Sequence, residues 1–169
     1  PTNWLAHATH KSSALPISGF ADCGGRQLAL DDAIASLDAS NGLLARDTAW
    51  RWASAHDHRI GFNLQQGYMG DAENAVWLDG VPHRVGAARF DFDAAQPLAP
   101  WQIRTDDGAV ALTFTPEGAR QHDQDLLIAA SRYLQPIGCF SGRIIHPHTG
   151  VAHPVSQLLG ITEDHHSRW

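Results

Sequence analysis

Around and within the stretch 50–80, residues 48–55 and 59–65 keep a period of two that no helix can satisfy, and residues 67–72 read as a loop. The stretch reads WRWASAHDHRIGFNLQQGYMGDAENAVWLDG. Trp50, Trp52 and Ser54 fall on one face of an extended segment, and Ala49, Arg51 and Ala53 fall on the other. After the polar turn His56-Asp57-His58, Ile60, Phe62 and Leu64 form an apolar face opposite Gly61, Asn63 and Gln65. Residues 73–78 predict a further strand, closed by the turn dipeptide Asp79-Gly80. Paired aromatic and polar stripes of this kind suit a barrel with a functional interior. They equally suit a sheet with one wet side.

The rest of the chain continues in short extended runs broken by turn residues. Residues 15–20 and 26–30 flank Asp22-Cys23-Gly24-Gly25, a hairpin signal because glycine supplies the positive φ of a tight turn. Residues 31–37 fit a short helix led by an aspartate cap or irregular structure. Residues 38–47 read as a loop turning at Asn41-Gly42, with Asp38 as a turn former. Residues 101–105 and 109–115 make a second clear hairpin across Asp106-Asp107-Gly108, with Val110, Leu112 and Phe114 facing inward. Residues 116–125 read as a polar connection. Residues 125–133, 137–145 and 151–163 read as strands. The total is nine or ten short strands with no convincing crossover helix, which predicts an all-β, antiparallel barrel over residues 1–169 as one domain.

Composition narrows the function classes. The chain is 43% hydrophobic and 18% charged, less charged than the usual quarter, which suits a β-protein with covered faces. Its net charge is -6, Lys11 is its sole lysine and its arginines are scattered, so nucleic acid is excluded as a partner. Cys23 and Cys139 form no disulfide framework and read as small hydrophobes in a reducing, cytoplasmic compartment. No apolar run reaches the length of a membrane span, and no signal-peptide pattern opens the chain. The chain begins Pro-Thr-Asn-Trp without an initiator Met, which reads as a processed, cut or partial product with something upstream. The absence of G-x-S-x-G, P-loop and G-x-G-x-x-G motifs removes the usual hydrolase, nucleotide and dinucleotide readings, and no cofactor is predicted.

Candidate site residues cluster around the same alternating stretch. Glu73, with Trp77 two pleats along, would be a general acid or base if it lines an apolar cavity, since burial raises a carboxyl pKa. The alternative is a solvent-facing Glu at a strand start. Trp50 and Trp52 suit a core or a cavity wall. Asn63 would orient a substrate carbonyl or satisfy buried backbone. His146, His148 and His153 invite a zinc reading. Pro147 places them on a loop, and no HExxH or spaced Cys pair accompanies them, so no metal site is predicted.

The runs TAWRWASA, IGFNLQQG, ENAVWLDG, W-x-I-x-T-D-D-G at 101–108, LTFTPEG, QPIGCFSG and GITEDHHSRW, in this order, resemble the C-terminal half of the bacterial family labelled domain of unknown function 2804. That family is similar to tandem lipocalin-like proteins, the group of carotenoid hydratases and AttH-type proteins. The resemblance implies a lipocalin-like barrel whose partner barrel precedes it. It brings no catalytic set. The positions matching its motifs are Trp52, Asn63, Glu73, Asn74, Trp77, Asp79, Glu163, His165, Arg168 and Trp169. The expectation is a barrel binding a small, largely apolar molecule, with possible non-redox hydration, dehydration or isomerisation. Glu73 would be the acid or base with His165 and Glu163 as helpers, and Trp50, Trp52, Asn63, Asn74 and Trp77 would hold the ligand. A carrier without chemistry, or a structural half that docks on an N-terminal half or second subunit, is the alternative.

Overall fold

The computed structural model describes residues 7–43, 45–68 and 70–168. Trp169, the last residue of the closing motif, lies outside them, as do Pro1, Thr2, Asn3 and Trp4. Among the described residues the protein is all-β and antiparallel, with thirteen strands and no helix. Among the same residues no helix is long and apolar enough to cross a membrane.

Nine strands form one sheet in the order β8-β7-β6-β5-β13-β12-β11-β10-β9. They are β5 (Asp47–His56), β6 (Ile60–Gly67), β7 (Ala75–Leu78), β8 (Val81–Arg84), β9 (Ala88–Asp91), β10 (Trp101–Thr105), β11 (Val110–Asp125), β12 (Ala130–Ile145) and β13 (Ala152–Arg168). Each neighbour in the sheet is also the neighbour in sequence, except that β13 returns to pair with β5. The order is therefore that of an up-and-down barrel left open between β8 and β9. The sheet curls: the backbone N–H of Phe90 on β9 donates to Oε1 of Gln66 on β6 at 3.2 Å, although these strands lie six places apart in it. The result is a curled half-barrel. The turn that joins β7 to β8 is the predicted Asp79-Gly80, with φ of 48° and 80°. Two successive positive φ values define the hairpin turn whose twist matches its strands.

The inside of the curl is filled. Ala53, Ala55, Phe62, Leu64 and Val76 meet Trp101, Ile103, Phe114, Phe140 and Ile144 in one buried cluster. Phe140 sits at its centre, edge-on to Phe62 at 4.9 Å and 4.5 Å from Phe114 between ring centroids. Gly160 on β13 leaves room for that ring, since a Cβ there would lie 2.8 Å from Phe140 and 2.4 Å from the Ser54 carbonyl. The hollow interior that the sequence suggests is thus a packed core.

Two ribbons complete the fold. β1 (His7–Pro16) pairs with β4 (Ile34–Gly42), and β2 (Phe20–Cys23) pairs with β3 (Arg26–Ala29) across the predicted Gly24-Gly25 turn. Residues 38–42 are strand, not the predicted loop, and Asp38 pairs with Lys11 in the β1–β4 register. Pairing with β1 supplies the backbone hydrogen bonds that the polar sequence does not advertise. Residues 116–125 also extend β11 rather than connecting it. They are polar because the β11–β12 pair runs on past the core, where both faces are exposed. The predicted strand 125–133 is found at its two ends, Asp125 closing β11 and Ala130 opening β12, while residues 126–129 between them are the hairpin tip, with Leu127 at φ 68°.

Phe140→Ala is expected to destabilise the protein by about 3–5 kcal/mol, the usual cost of emptying a phenylalanine site in a core. Leu127→Ala at the exposed tip should cost within about 0.5 kcal/mol. Urea unfolding of both variants checks the pair, and a cheap Phe140→Ala would contradict the packed interior.

Candidate functional site

The pleat sends the two stripes of β5 and β6 to opposite faces. Ala53 pairs with Leu64 and Ala55 with Phe62 on the core face. Trp52 pairs with Gln65 and Ser54 with Asn63 on the other face. The next strand continues the second stripe, with Glu163 opposite Trp52 and His165 opposite Trp50. This outer face is covered: Asn63 and Gln65 are 3% and 4% exposed, as buried as the core residues between them. Part of the cover is the β1–β4 ribbon. Beneath it lies a cavity of about 270 Å³ walled by Trp50, Trp52 and Tyr68, with Lys11, Glu73 and Glu163 among its polar lining and Asp38 on its ribbon side.

Lys11 reaches from the ribbon into this space. Its Nζ forms an ion pair with Asp38, lies 3.4 Å from Glu73 and sits 5.4 Å from the Trp52 ring centroid. Glu73 itself is well shielded, its side chain 9% exposed. It belongs to the turn before β7 rather than to the strand, so its direction is set by the loop and not by the pleat.

Asn63 ties this loop to the aromatic wall. Trp52 Nε1 donates to Asn63 Oδ1 at 2.7 Å, and Asn63 Nδ2 donates to the Glu73 carbonyl at 3.0 Å. Asn74 is fully buried and splices three segments together. Its Oδ1 accepts from the Gln65 backbone at 2.7 Å and its Nδ2 donates to the Gly86 carbonyl at 3.0 Å. Trp77 lines not the larger cavity but a side pocket of about 20 Å³ that shares Lys11, Asp38 and Trp52 with it.

Glu163 is held by three donors: Trp50 Nε1 at 3.0 Å, Tyr133 OH at 3.1 Å and Gln135 Nε2 at 2.8 Å. Its lone pairs are therefore largely committed, and its role in this geometry is to fix the Trp50 ring. His165 lies against Trp50, 4.3 Å between ring centroids, with Tyr133 5.0 Å away on another side. Its Nε2 is within hydrogen-bond reach of Ser131 and Ser167 at 3.2 and 2.8 Å. Glu73 and Glu163 thus share a cavity, whereas His165 stands behind the wall that Trp50 makes.

His146 and His148 of the β12–β13 turn and His153, which lies within β13 rather than on the predicted loop, do come together, and they gain His83 of β8. Its ring lies 4.4 Å from His146 and 5.6 Å from His148, with His153 6.5 Å from His146. His146 Nδ1 accepts backbone N–H groups of His148 and Thr149 at 3.2 and 3.4 Å. Among the described residues no group of three His, Cys, Asp or Glu side chains is placed to hold a metal ion.

Lys11, Asp38, Tyr68, Tyr133 and Gln135 are site residues that the sequence reading does not single out for chemistry. Only Lys11 carried a signal, as the one lysine of the chain. Asp38 is not a turn former: it stands within β4, paired to Lys11.

An open up-and-down antiparallel half-barrel, packed inside and carrying an aromatic, carboxylate-lined cavity under an outer ribbon, defines the class of protein. The chain belongs to the family described as domain of unknown function (DUF2804), whose model matches residues 1–169. No curated protein and no solved structure matches it.

Burial, then the charge of Glu163 and the hydrogen bond to it, pushes the Tyr133 phenol up to about 12. Tyr68 is raised too, by burial first and the charge of Glu73 second. These are the two tyrosines of the chain. The tyrosinate absorbance of the folded protein should thus be well under half developed at about pH 10, where free tyrosine is half ionised. Half-development there would contradict the burial of both phenols.

Burial lowers the pKa of His56, His83 and His165, with His146 and His148 adding to the effect at His83; Asp57 partly opposes it at His56, and Glu163 at His165. The unfolded chain then binds more protons than the folded one below the ordinary histidine value of 6.5. Stability from these groups is complete above that value and is lost as pH falls through it toward the lowered values. Urea midpoints should drop between about pH 7.5 and about pH 5.5, and His165→Gln should shrink the drop. A flat profile would contradict this.

Proposed function

We propose that the protein binds a small, largely apolar molecule in the cavity between the outer face of β5, β6 and β13 and the β1–β4 ribbon. The observation that carries this reading is the cavity itself: about 270 Å³, walled by Trp50, Trp52 and Tyr68. Its volume is near the lower end of small-molecule sites, which run from about 300 to about 1,000 Å³, and a mostly apolar wall with a few polar groups is their usual make-up. A ligand of one or two rings fits. Up-and-down barrels such as lipocalins hold their ligands inside the barrel. Here Phe62, Phe114 and Phe140 occupy that space, so the reading moves the ligand to the opposite face.

Trp52 and Glu73 are the residues on which binding depends. Asn63 and Asn74 act through them, by holding the Trp52 ring and the turn that carries Glu73. Non-redox acid–base chemistry on the ligand is a second reading, and it rests on Glu73. That carboxylate is shielded and carries an ammonium partner 3.4 Å away, whereas Glu163 is occupied by three donors.

A neutral naphthalene dye such as prodan serves as probe. Wild-type protein should bind it with enhanced emission, and Trp52→Ala should weaken binding about tenfold or more, as expected for loss of a large aromatic wall. Trp77→Ala should weaken it less, and Leu127→Ala should leave it unchanged. Equal affinity in wild type and Trp52→Ala, or no binding to wild type, would overturn the reading.

A further inference from the structure

We infer that the ligand of this cavity carries a positive charge: a small aromatic or alkyl amine, or a quaternary ammonium compound. The inference rests on the cavity being the binding site and adds the chemistry of its occupant.

The first ground is charge balance. Three carboxylates line the cavity, Asp38, Glu73 and Glu163, against one ammonium, Lys11. Three neutral donors stabilise the Glu163 carboxylate without cancelling its charge. A neutral ligand that displaces water there would leave surplus negative charge in a poorer solvent, which is unfavourable. An anion would add to it. A cation removes it.

The second ground is the wall. Trp50, Trp52 and Tyr68 are all electron-rich rings, and rings of this kind around a carboxylate are the arrangement that recognises organic ammonium groups. The third ground is that an ammonium already occupies part of the site. Lys11 Nζ lies 5.4 Å from the Trp52 centroid and 3.4 Å from Glu73, within the roughly 6 Å range of a cation–π contact. Lys11 is a built-in stand-in for the ligand's charged group. An incoming ammonium takes its place beside Glu73 and Trp52, and Lys11 stays on the ribbon with Asp38. Lys11 thereby sets the affinity by competition, and its removal strengthens binding of a cation.

Three probes with one ring system and different charge test this: 2-naphthylmethyl-trimethylammonium, 2-(methoxymethyl)naphthalene and 2-naphthylacetate. Calorimetric titration of the wild-type chain should give the order cation, neutral, anion. The cation should bind about tenfold or more tighter than the neutral probe, a margin that shrinks as salt rises. Glu73→Gln should reduce the margin severalfold, whereas Leu127→Ala at the exposed hairpin tip should leave binding of all three probes unchanged. Lys11→Met should raise cation affinity severalfold, and Asp38→Asn gives a second, milder perturbation of the same charge set if Lys11→Met fails to fold. Equal binding of cation and neutral probe would overturn the charge assignment and leave the cavity reading standing. Binding of none of the three would overturn both. Tighter binding of the anion, or weaker cation binding in a folded Lys11→Met, would overturn the competition.

Discussion

The strict two-residue repeat of β5 and β6 is the constraint on which the structure depends. A pleated strand has two faces, and these two strands have something to bury on each. Ala53, Ala55, Phe62 and Leu64 go into the core inside the curl, while Trp52, Asn63 and Gln65 go under the ribbon. A slip of one residue would exchange the faces. It would put Asn63 and Gln65 among phenylalanines and Phe62 and Leu64 under the polar ribbon, so the register is pinned from both sides. The same alternation that builds the core therefore positions the cavity.

Polar groups on the outer face are then fixed by one another. Trp52 is oriented by Asn63, Asn63 by the Glu73 carbonyl, and Trp50 by Glu163, which Tyr133 and Gln135 hold in turn. Each of these groups is part-buried and hydrogen-bonded, which is the condition for keeping it there at all. The ribbon adds an ion pair from another sheet, a lysine on a long stem reaching across to Glu73. The orientation of the wall is thus set by hydrogen bonds, and the charge within the cavity by ion pairs that come from the ribbon.

What the sequence made legible follows from which interactions are local. The Asp79-Gly80 and Gly24-Gly25 turns, the alternation of β5 and β6, and the inward set Val110, Leu112 and Phe114 depend on neighbours in the chain, and each is found in the fold. β4 was not legible, because Ser36, Asp38 and Ser40 carry no apolar stripe and the strand exists through pairing with β1. The far half of β11 was hidden for the same reason. The site was half legible. Alternation put Trp50, Trp52, Asn63 and Glu163 on compatible strands. Which face held the core, and that Lys11 and Asp38 would meet Glu73 from another sheet, depended on contacts distant in sequence.

The central claim is that this half-barrel is solid inside and hollow on its outer face. Xenon settles against apolar side chains where space is open to it and can be located directly in crystals. Crystals of the protein pressurised with xenon should show it beneath the ribbon, against Trp50 and Trp52, and none among Phe62, Phe114 and Phe140. Xenon lodged between those phenylalanines, with the space under the ribbon empty, would contradict the account.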